Sequence, residues 1–194
     1  MEEKHNDKQR CKWVNLDNPI YVQYHDEYWG EPVYDDRLLF EMLVLEGAQA
    51  GLSWETILKK QENYKLAFDD FDSTIVASYD QTKIEELMLN AGIVRNRRKI
   101  ESAIRNANVT LKIQEEFGSF SNYLWSYVNF KPIINHFKSL QEVPTSTDLS
   151  DRISKDLKKR GMNFVGSTII YAYLQAVGVV NDHTTDCYKH KSIK

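Results

Sequence analysis

Leu87-Met88-Leu89-Asn90-Ala91-Gly92-Ile93-Val94-Arg95-Asn96-Arg97-Arg98-Lys99-Ile100 is the stretch whose reading decides the fold. Before it, Thr82 to Asn90 carries Ile84, Leu87 and Met88 at helical spacing; after it, Arg97 to Phe117 carries Ile100, Ile104, Ala107, Leu111 and Ile113 in the same period. Only Ala91 to Asn96 is left to join them, so a tight helical hairpin is expected over about 82–117. Gly92 permits close approach of another backbone, and the second helix begins with unpaired N–H groups that can hold a phosphate. Arg95, Arg97, Arg98 and Lys99 add positive charge at the same place. An ordinary turn with a solvated basic face would use the same residues, so the hairpin alone leaves its purpose open.

Helical periodicity continues on both sides. Asp35 or Asp36 can cap a helix through Leu38-Leu39-Phe40-Glu41-Met42-Leu43-Val44-Leu45, which is apolar nearly all round and therefore buried. Ser53 can cap the next, with Trp54, Ile57, Leu58, Tyr64, Leu66 and Phe68 as its buried stripe, until Asp69-Asp70-Phe71-Asp72 breaks the pattern. A short helix is expected near Ile75 to Tyr79. Val128 to Asp148 is the longest irregular stretch. It ends in Pro144-Thr145-Ser146-Thr147-Asp148, from which a helix runs to Lys158-Lys159-Arg160, with Gly161 placed for a left-handed cap. A last apolar helix covers about Phe164 to Val177, and all four prolines fall in segments that read as connections. There is no internal repeat. The expectation is one all-α domain, and 194 residues with 42% hydrophobic content can bury a real core.

A formal net charge of −3 gives no global attraction to polyanions, so a nucleic-acid partner would need a local basic patch. Met1 to Arg10 is charged from the start and no apolar run approaches membrane-spanning length, so a cytoplasmic protein with no membrane partner is expected. The two cysteines, Cys11 and Cys187, lie near opposite ends without a secretory signal, which argues against a disulfide and leaves a metal or two free thiols.

Three constellations could carry chemistry. Glu46 sits in Leu43-Val44-Leu45-Glu46-Gly47-Ala48, where an ionised carboxylate costs several kcal/mol unless it finds a partner. That partner is either a ligand with N–H donors or positive charge, or a structural one such as a helix terminus or an arginine. Trp54 and the aromatic opening segment (Trp13, Tyr21, Tyr24, Tyr28, Trp29) tilt the choice toward a flat cationic base. Next, His183 and Cys187 have H-x-x-x-C spacing, which on a helical turn shares one face; Cys11 and His25 can complete a closed tetrahedral zinc site of structural type. His5, His136 and His190 are expected at the surface. Finally, Asp182 follows a buried helix, where a turn role competes with assistance to hydrolysis.

Taken together, the residues resemble the 3-methyladenine DNA glycosylase I family, within the helix-hairpin-helix glycosylases. The resemblance spans about Arg10 to Cys187 and is carried by Arg10-Cys11-Lys12-Trp13-Val14, Tyr24-His25-Asp26-Glu27-Tyr28-Trp29-Gly30, Leu45-Glu46-Gly47, Gly51-Leu52-Ser53-Trp54, Ala91-Gly92-Ile93-Val94-Arg95, Val143-Pro144-Thr145-Ser146-Thr147, Lys158-Lys159-Arg160-Gly161, Phe164-Val165-Gly166 and Val180-Asn181-Asp182-His183. It implies that Glu46 hydrogen-bonds the damaged base, that Tyr24 and Trp54 contact or stack on it, and that Trp13, Tyr21 and Trp29 help line the pocket. It also implies structural zinc at Cys11, His25, His183 and Cys187. Many helix-hairpin-helix glycosylases have a catalytic aspartate in a V-D-x-H setting. Here Asn181 stands at that place with Asp182 after it, so Asp182 is given no catalytic role.

The resulting expectation is a monomeric enzyme that grips alkylated double-stranded DNA through the hairpin, with Gly92, Arg95, Arg97, Arg98 and Lys99 against the backbone. Leu52 would fill the gap left by the extruded nucleotide. The enzyme would release 3-methyladenine, and with no lysine assigned to the pocket it would leave the strand uncut. Two rivals use parts of the same sequence: a non-catalytic hairpin module that only recognises DNA, and a zinc-stabilised helical interaction protein.

Overall fold

The structure is a computed structural model that describes residues 8–191. His5 lies outside the described residues. Asn18 caps α1 (Pro19–Gln23), which runs into a π-helical turn, Tyr24–Tyr28, closed by the Trp29 N–H donating to the Tyr24 carbonyl at 2.9 Å. Neither was expected from the sequence. The wide turn points neighbouring residues to different surroundings, a use often met at functional sites.

Asp35, whose carboxylate accepts from the Leu38 N–H at 3.0 Å, caps α2 (Asp36–Gln49). Asp36 instead receives the Phe120 and Ser121 N–H groups at 2.8 Å each, at the start of a helix over Phe120–Ser126. Helix α2 is central. Its Leu39 and Leu43 join one core cluster and its Phe40, Val44 and Leu45 another, which is why the segment is apolar on nearly every side. Each such side chain stabilises the fold by roughly 1.5–3 kcal/mol.

The single helix expected from Ser53 to Phe68 is two, α3 (Trp54–Leu58) and α4 (Gln61–Ala67). The chain bends at Lys59 and Lys60, where the Lys60 ammonium reaches the Ala91 carbonyl at 2.8 Å. The bend turns Leu66 outward to 82% exposure, so it is not part of the buried stripe. A left-handed turn with positive φ at Asp69, Asp70 and Phe71 leads to α5 (Ser73–Ala77). Helices α6 (Gln81–Leu89) and α7 (Arg97–Phe117) follow, joined by residues 90–96, with Asn96 and Gly118 capping the ends of α7.

The helix that Asp36 caps, α8 (Phe120–Ser126), was not expected; Ser119 as its N-cap and apolar Phe120, Tyr123 and Leu124 are its sequence signal. The irregular stretch contains a two-residue strand β1 (Ile133–Ile134). Helix α9 (Asp148–Arg160) opens with a Thr147/Ser150 capping box and closes at Gly161 in the left-handed region. Helix α10 (Ser167–Ala176) begins three residues later than expected, because Phe164 has a positive φ and Gly166 is the N-cap. Strand β2 (Val180–Asn181) pairs parallel with β1, Ile133 against Val180 and Ile134 against Asn181. A third cluster joins Cys11, Val14, Tyr24 and Trp29 to Ala176 and Cys187, bringing the two ends of the described chain together. Among the described residues no helix is long and apolar enough to cross a membrane.

Candidate active site

A cleft of about 370 Å³ opens between α2, α3, α10 and the aromatic opening segment. Trp13, Tyr21, Tyr24, Trp29, Glu46 and Trp54 all line it. Trp13 lies edge-on to Tyr21 at 5.6 Å and to Trp29 at 5.0 Å, and Tyr24 is 5.4 Å from a tilted Trp54. These rings buttress one another and form rigid walls.

Glu46 is the polar centre of this wall. It is 4% exposed, and no described side chain or backbone group forms a hydrogen bond or ion pair with it. Burial alone pushes its pKa up to about 8. Glu41, five residues earlier on the same helix and equally buried, shows the structural alternative. It receives a hydrogen bond from Gln61 at 2.6 Å and has the Lys65 ammonium at 3.8 Å. The arginine or helix terminus that could have explained Glu46 is absent among the described residues, and its carboxyl group faces the cleft. Burial is also the main cause that raises the Tyr24 pKa, with Glu46 adding to it.

Behind the aromatic wall, Cys11, His25, His183 and Cys187 converge, all buried, with one ligand atom from each lying within 4.8 Å of the others. Sulfur to ring nitrogen is 3.4 Å for Cys11–His183, 3.4 Å for Cys187–His25 and 3.5 Å for Cys187–His183. A tetrahedral ion with ordinary metal–sulfur and metal–nitrogen bonds sets such edges at about 3.6 Å, so this group could hold a metal ion. The outward ring nitrogens are also engaged. His25 Nδ1 lies 2.8 Å from Asp26 Oδ1 and His183 Nε2 3.1 Å from the Trp29 carbonyl, which leaves His25 Nε2 and His183 Nδ1 facing inward. Asp26 is held in turn by Arg10 through Nε at 2.9 Å and Nη2 at 2.7 Å. At Gly30 φ is +80°, and an added Cβ would stand 3.0 Å from His183 Nε2. The 183–187 segment is a non-helical turn closed by the Cys187 N–H on the Thr184 carbonyl at 2.8 Å. His190 is half-buried, with Nε2 3.1 Å from the Asn135 carbonyl, and His136 is exposed.

At the 90–96 turn the charges divide into two kinds. Arg95 and Arg98 are exposed and have no ion pair or hydrogen-bond partner among the described residues. Arg97 is shared by Glu85 at 2.6 Å and Glu101 at 3.8 Å, and the Lys99 ammonium donates to the Ala48 and Ala50 carbonyls at 2.7 Å each. These two cations are therefore not free at the surface. The close approach that Gly92 permits comes from the Asn63 side chain, 2.9 Å from where a Cβ would stand. Leu52 is 40% exposed beside Gly51, whose φ is +79°.

Sequence reasoning missed Gln49, Leu140, Val143, Ala172 and Gln175 as cleft residues. Gln49 could have been found one helical turn beyond Glu46, and Gln175 as the polar exception on an apolar helix. Asp182 also lines the cleft, but its carboxylate accepts from Asn135 at 2.6 Å, from Gln175 at 2.7 Å and from the Tyr171 hydroxyl.

The sequence matches the methyladenine glycosylase family over residues 13–190. It is 49% identical to DNA-3-methyladenine glycosylase 1 of Escherichia coli K12, covering 92% of this chain and 95% of that one. Against the Haemophilus influenzae DNA-3-methyladenine glycosylase it is 46% identical, covering 92% and 96%. The fold superposes with a TM-score of 0.92 on a structure of Staphylococcus aureus 3-methyladenine DNA glycosylase I that reports the basis of 3-methyladenine recognition. That match has 40% identity and covers 95% of this chain and 98% of that one. The chain belongs to the methyladenine glycosylase family.

Proposed function

We propose that this chain excises 3-methyladenine from alkylated double-stranded DNA, releasing the free base and leaving an abasic site. The observation that carries the reading is Glu46: a buried carboxyl group without a protein partner, facing a cleft walled by aromatic rings. Methylation at N3 makes the attached adenine cationic. The base extruded into the cleft meets ring faces that attract a cation and an acid that gains a counter-charge by ionising. Glu46 reads the N–H edge while Tyr24 and Trp54 contact the purine, with Trp13, Tyr21 and Trp29 completing the walls. When the C1′–N9 bond breaks, its electron pair passes to N9 and neutralises the base. Water adds to C1′ and loses a proton.

Residues 82–117 act as the DNA-gripping helix-hairpin-helix, with the unpaired Arg95 and Arg98 against phosphates and Leu52 filling the vacated stack. Cys11, His25, His183 and Cys187 would hold a metal ion, and two sulfur and two nitrogen donors favour zinc. Bound there, it would supply a structural cross-link between the two ends of the fold.

The test is release of free base from methylated duplex. Wild-type protein releases 3-methyladenine without strand cleavage, and Glu46→Ala keeps its circular dichroism and loses release. Retained activity in that variant refutes the pocket assignment, and lyase products refute simple hydrolysis. A hairpin module that only recognised DNA would bind duplex and release no base. No lysine lines the cleft among the described residues, which supports hydrolysis alone.

A further inference from the structure

Lys99 is the one cation of the hairpin whose charge is turned into the protein. It lies in the first turn of α7, where its own N–H donates to the Asn96 cap, and its ammonium donates to the Ala48 and Ala50 carbonyls at 2.7 Å each. Those carbonyls belong to the end of α2, the negative pole of that helix, whose last groups lack partners within the helix. Burial lowers the Lys99 pKa, as expected for an ammonium taken out of water. Ala48 is two residues beyond Glu46, and Ala50 is two residues before Leu52. One side chain therefore ties the start of α7, the segment proposed to face phosphates, to both the helix that carries the pocket acid and the loop that carries the exposed leucine.

The loop has little else to fix it. Gly51 has a left-handed φ and nothing within 4 Å of where a Cβ would stand, and Gly51, Leu52 and Ser53 are all exposed. Its backbone bonds at this corner are Ala50 N–H to Gly47 at 3.4 Å and Leu52 N–H to Gln49 at 2.7 Å. Without the ammonium, the Ala48 and Ala50 carbonyls lose their charged donor and the loop can swing relative to the hairpin. Most of the pocket wall, Trp13, Tyr21, Tyr24 and Trp29, belongs to the aromatic segment, and Trp54 is held apart from the loop by the Ser53 cap of α3 and by Tyr24 at 5.4 Å, so the pocket would keep its shape.

We infer that Lys99 is a positioning residue, not a phosphate ligand: it sets the register between the DNA-gripping hairpin and the Gly51-Leu52 loop, so that duplex held at the hairpin meets the leucine at the base step being opened. The inference rests on the glycosylase reading above. It makes Lys99 matter for extrusion from a duplex and not for holding a base already free.

The experiment compares wild type, Lys99→Met and Lys99→Arg on three readouts: excision of 3-methyladenine from duplex, excision from single-stranded methylated DNA, and binding of free 3-methyladenine followed by tryptophan fluorescence. Lys99→Met is expected to lower kcat on duplex by roughly ten- to a hundredfold, as displaced catalytic geometry does. Its single-strand excision and free-base affinity should stay near wild type, and the salt dependence of its duplex binding should not change. Lys99→Arg, which can still donate to two carbonyls, should recover most of the duplex rate. A salt slope reduced by about one unit in Lys99→Met would show a phosphate contact and overturn the inference. Equal loss on both substrates, or a loss of free-base binding, would overturn it as well. If wild type itself releases no base from either substrate, the glycosylase reading fails first, and that outcome is distinct from the others.

Discussion

Replacing Glu46 by glutamine should make the protein more stable, by an amount that depends on pH in a defined way. The carboxyl group titrates near 8 in the folded protein because burial opposes its charge, against an ordinary value of 4.5. Between those values the folded chain holds a proton that the unfolded chain has released. Stability therefore falls as pH rises from 4.5 to 8 and is level beyond. At about 1.4 kcal/mol per pH unit, the acid costs the fold about 3 kcal/mol at pH 7 and about 5 kcal/mol above pH 8. Glutamine has the same shape and does not titrate. The Glu46→Gln variant should gain almost nothing near pH 4.5, about 3 kcal/mol at pH 7, and most at pH 8.5. For a chain of this size, about 3 kcal/mol corresponds to a Tm rise of roughly 6–12 °C. Thermal melts of both proteins at pH 5, 6, 7 and 8.5 measure the difference, in which the other titrating groups cancel. A difference that is flat with pH, or a wild type that is the more stable at pH 8.5, would refute the claim that this carboxyl group is buried without a partner.

The same ionisation should appear in catalysis: at pH values below about 8, kcat/KM on methylated duplex should rise with pH, up to about tenfold per unit, because the cationic base selects the ionised acid. A pH–rate profile measures this. For the metal, Cys187→Ser should lower zinc content and Tm together. Asp26→Asn, which removes the partner of both His25 and Arg10, should weaken zinc about 10- to 100-fold in a chelator competition while leaving all four ligands in place. Arg98→Ala should reduce the salt slope of duplex binding by about one unit, whereas Arg97→Ala, already neutralised by Glu85 and Glu101, should change it less. Gly178→Ala should unfold the protein at far lower temperature with no direct effect on the cleft lining. Its φ is +68° and an added Cβ would stand 2.3 Å from the Glu31 carbonyl carbon, which a melt will show.

What could be read in the sequence followed the strength of local signals. Helix α7 was expected at Arg97 to Phe117 and is found there, because its apolar period is long and its ends carry Asn96 and Gly118. The division of Ser53 to Phe68 left no such mark. Lys59 and Lys60 suit a helix interior, and the bend between them is accompanied by a contact of Lys60 with Ala91, thirty-one residues away along the chain. The π-helical turn at Tyr24 was hidden for a similar reason, since aromatic residues without a period look irregular until packing shows what each ring faces. At the cleft, Glu46 and the aromatic residues stood out because burying them in that pattern needs a reason. Gln175 was overlooked because its meaning lies in Asp182: the amide holds the carboxylate that the sequence already singled out, and a lone glutamine on an apolar helix is not unusual. Lys99 was read as a surface cation because composition records a charge and not the direction it points.

The donor shell around Asp182 bears on why such a site can work without a dedicated base. A carboxylate accepting from Asn135, Gln175 and Tyr171 has most of its acceptor sites filled, so it is poorly placed to take a proton from water. A neutral purine would need that help, since general acid–base assistance is worth roughly 10²–10⁴ in rate. A base cationic before it enters the cleft departs on its own charge, and what remains for the protein is to select it. In the function proposed above, Glu46 would do so through the desolvation that destabilises the fold. A neutral adenine leaves the acid protonated and contributes nothing toward ionising it. A methylated one recovers the cost, about 1.4 kcal/mol at pH 7 for a group titrating near 8, and adds the attraction of opposite charges in a low-dielectric cleft. On that proposal, discrimination between damaged and normal adenine would come from the charge of the lesion itself, read by a buried acid at the wall of the cleft.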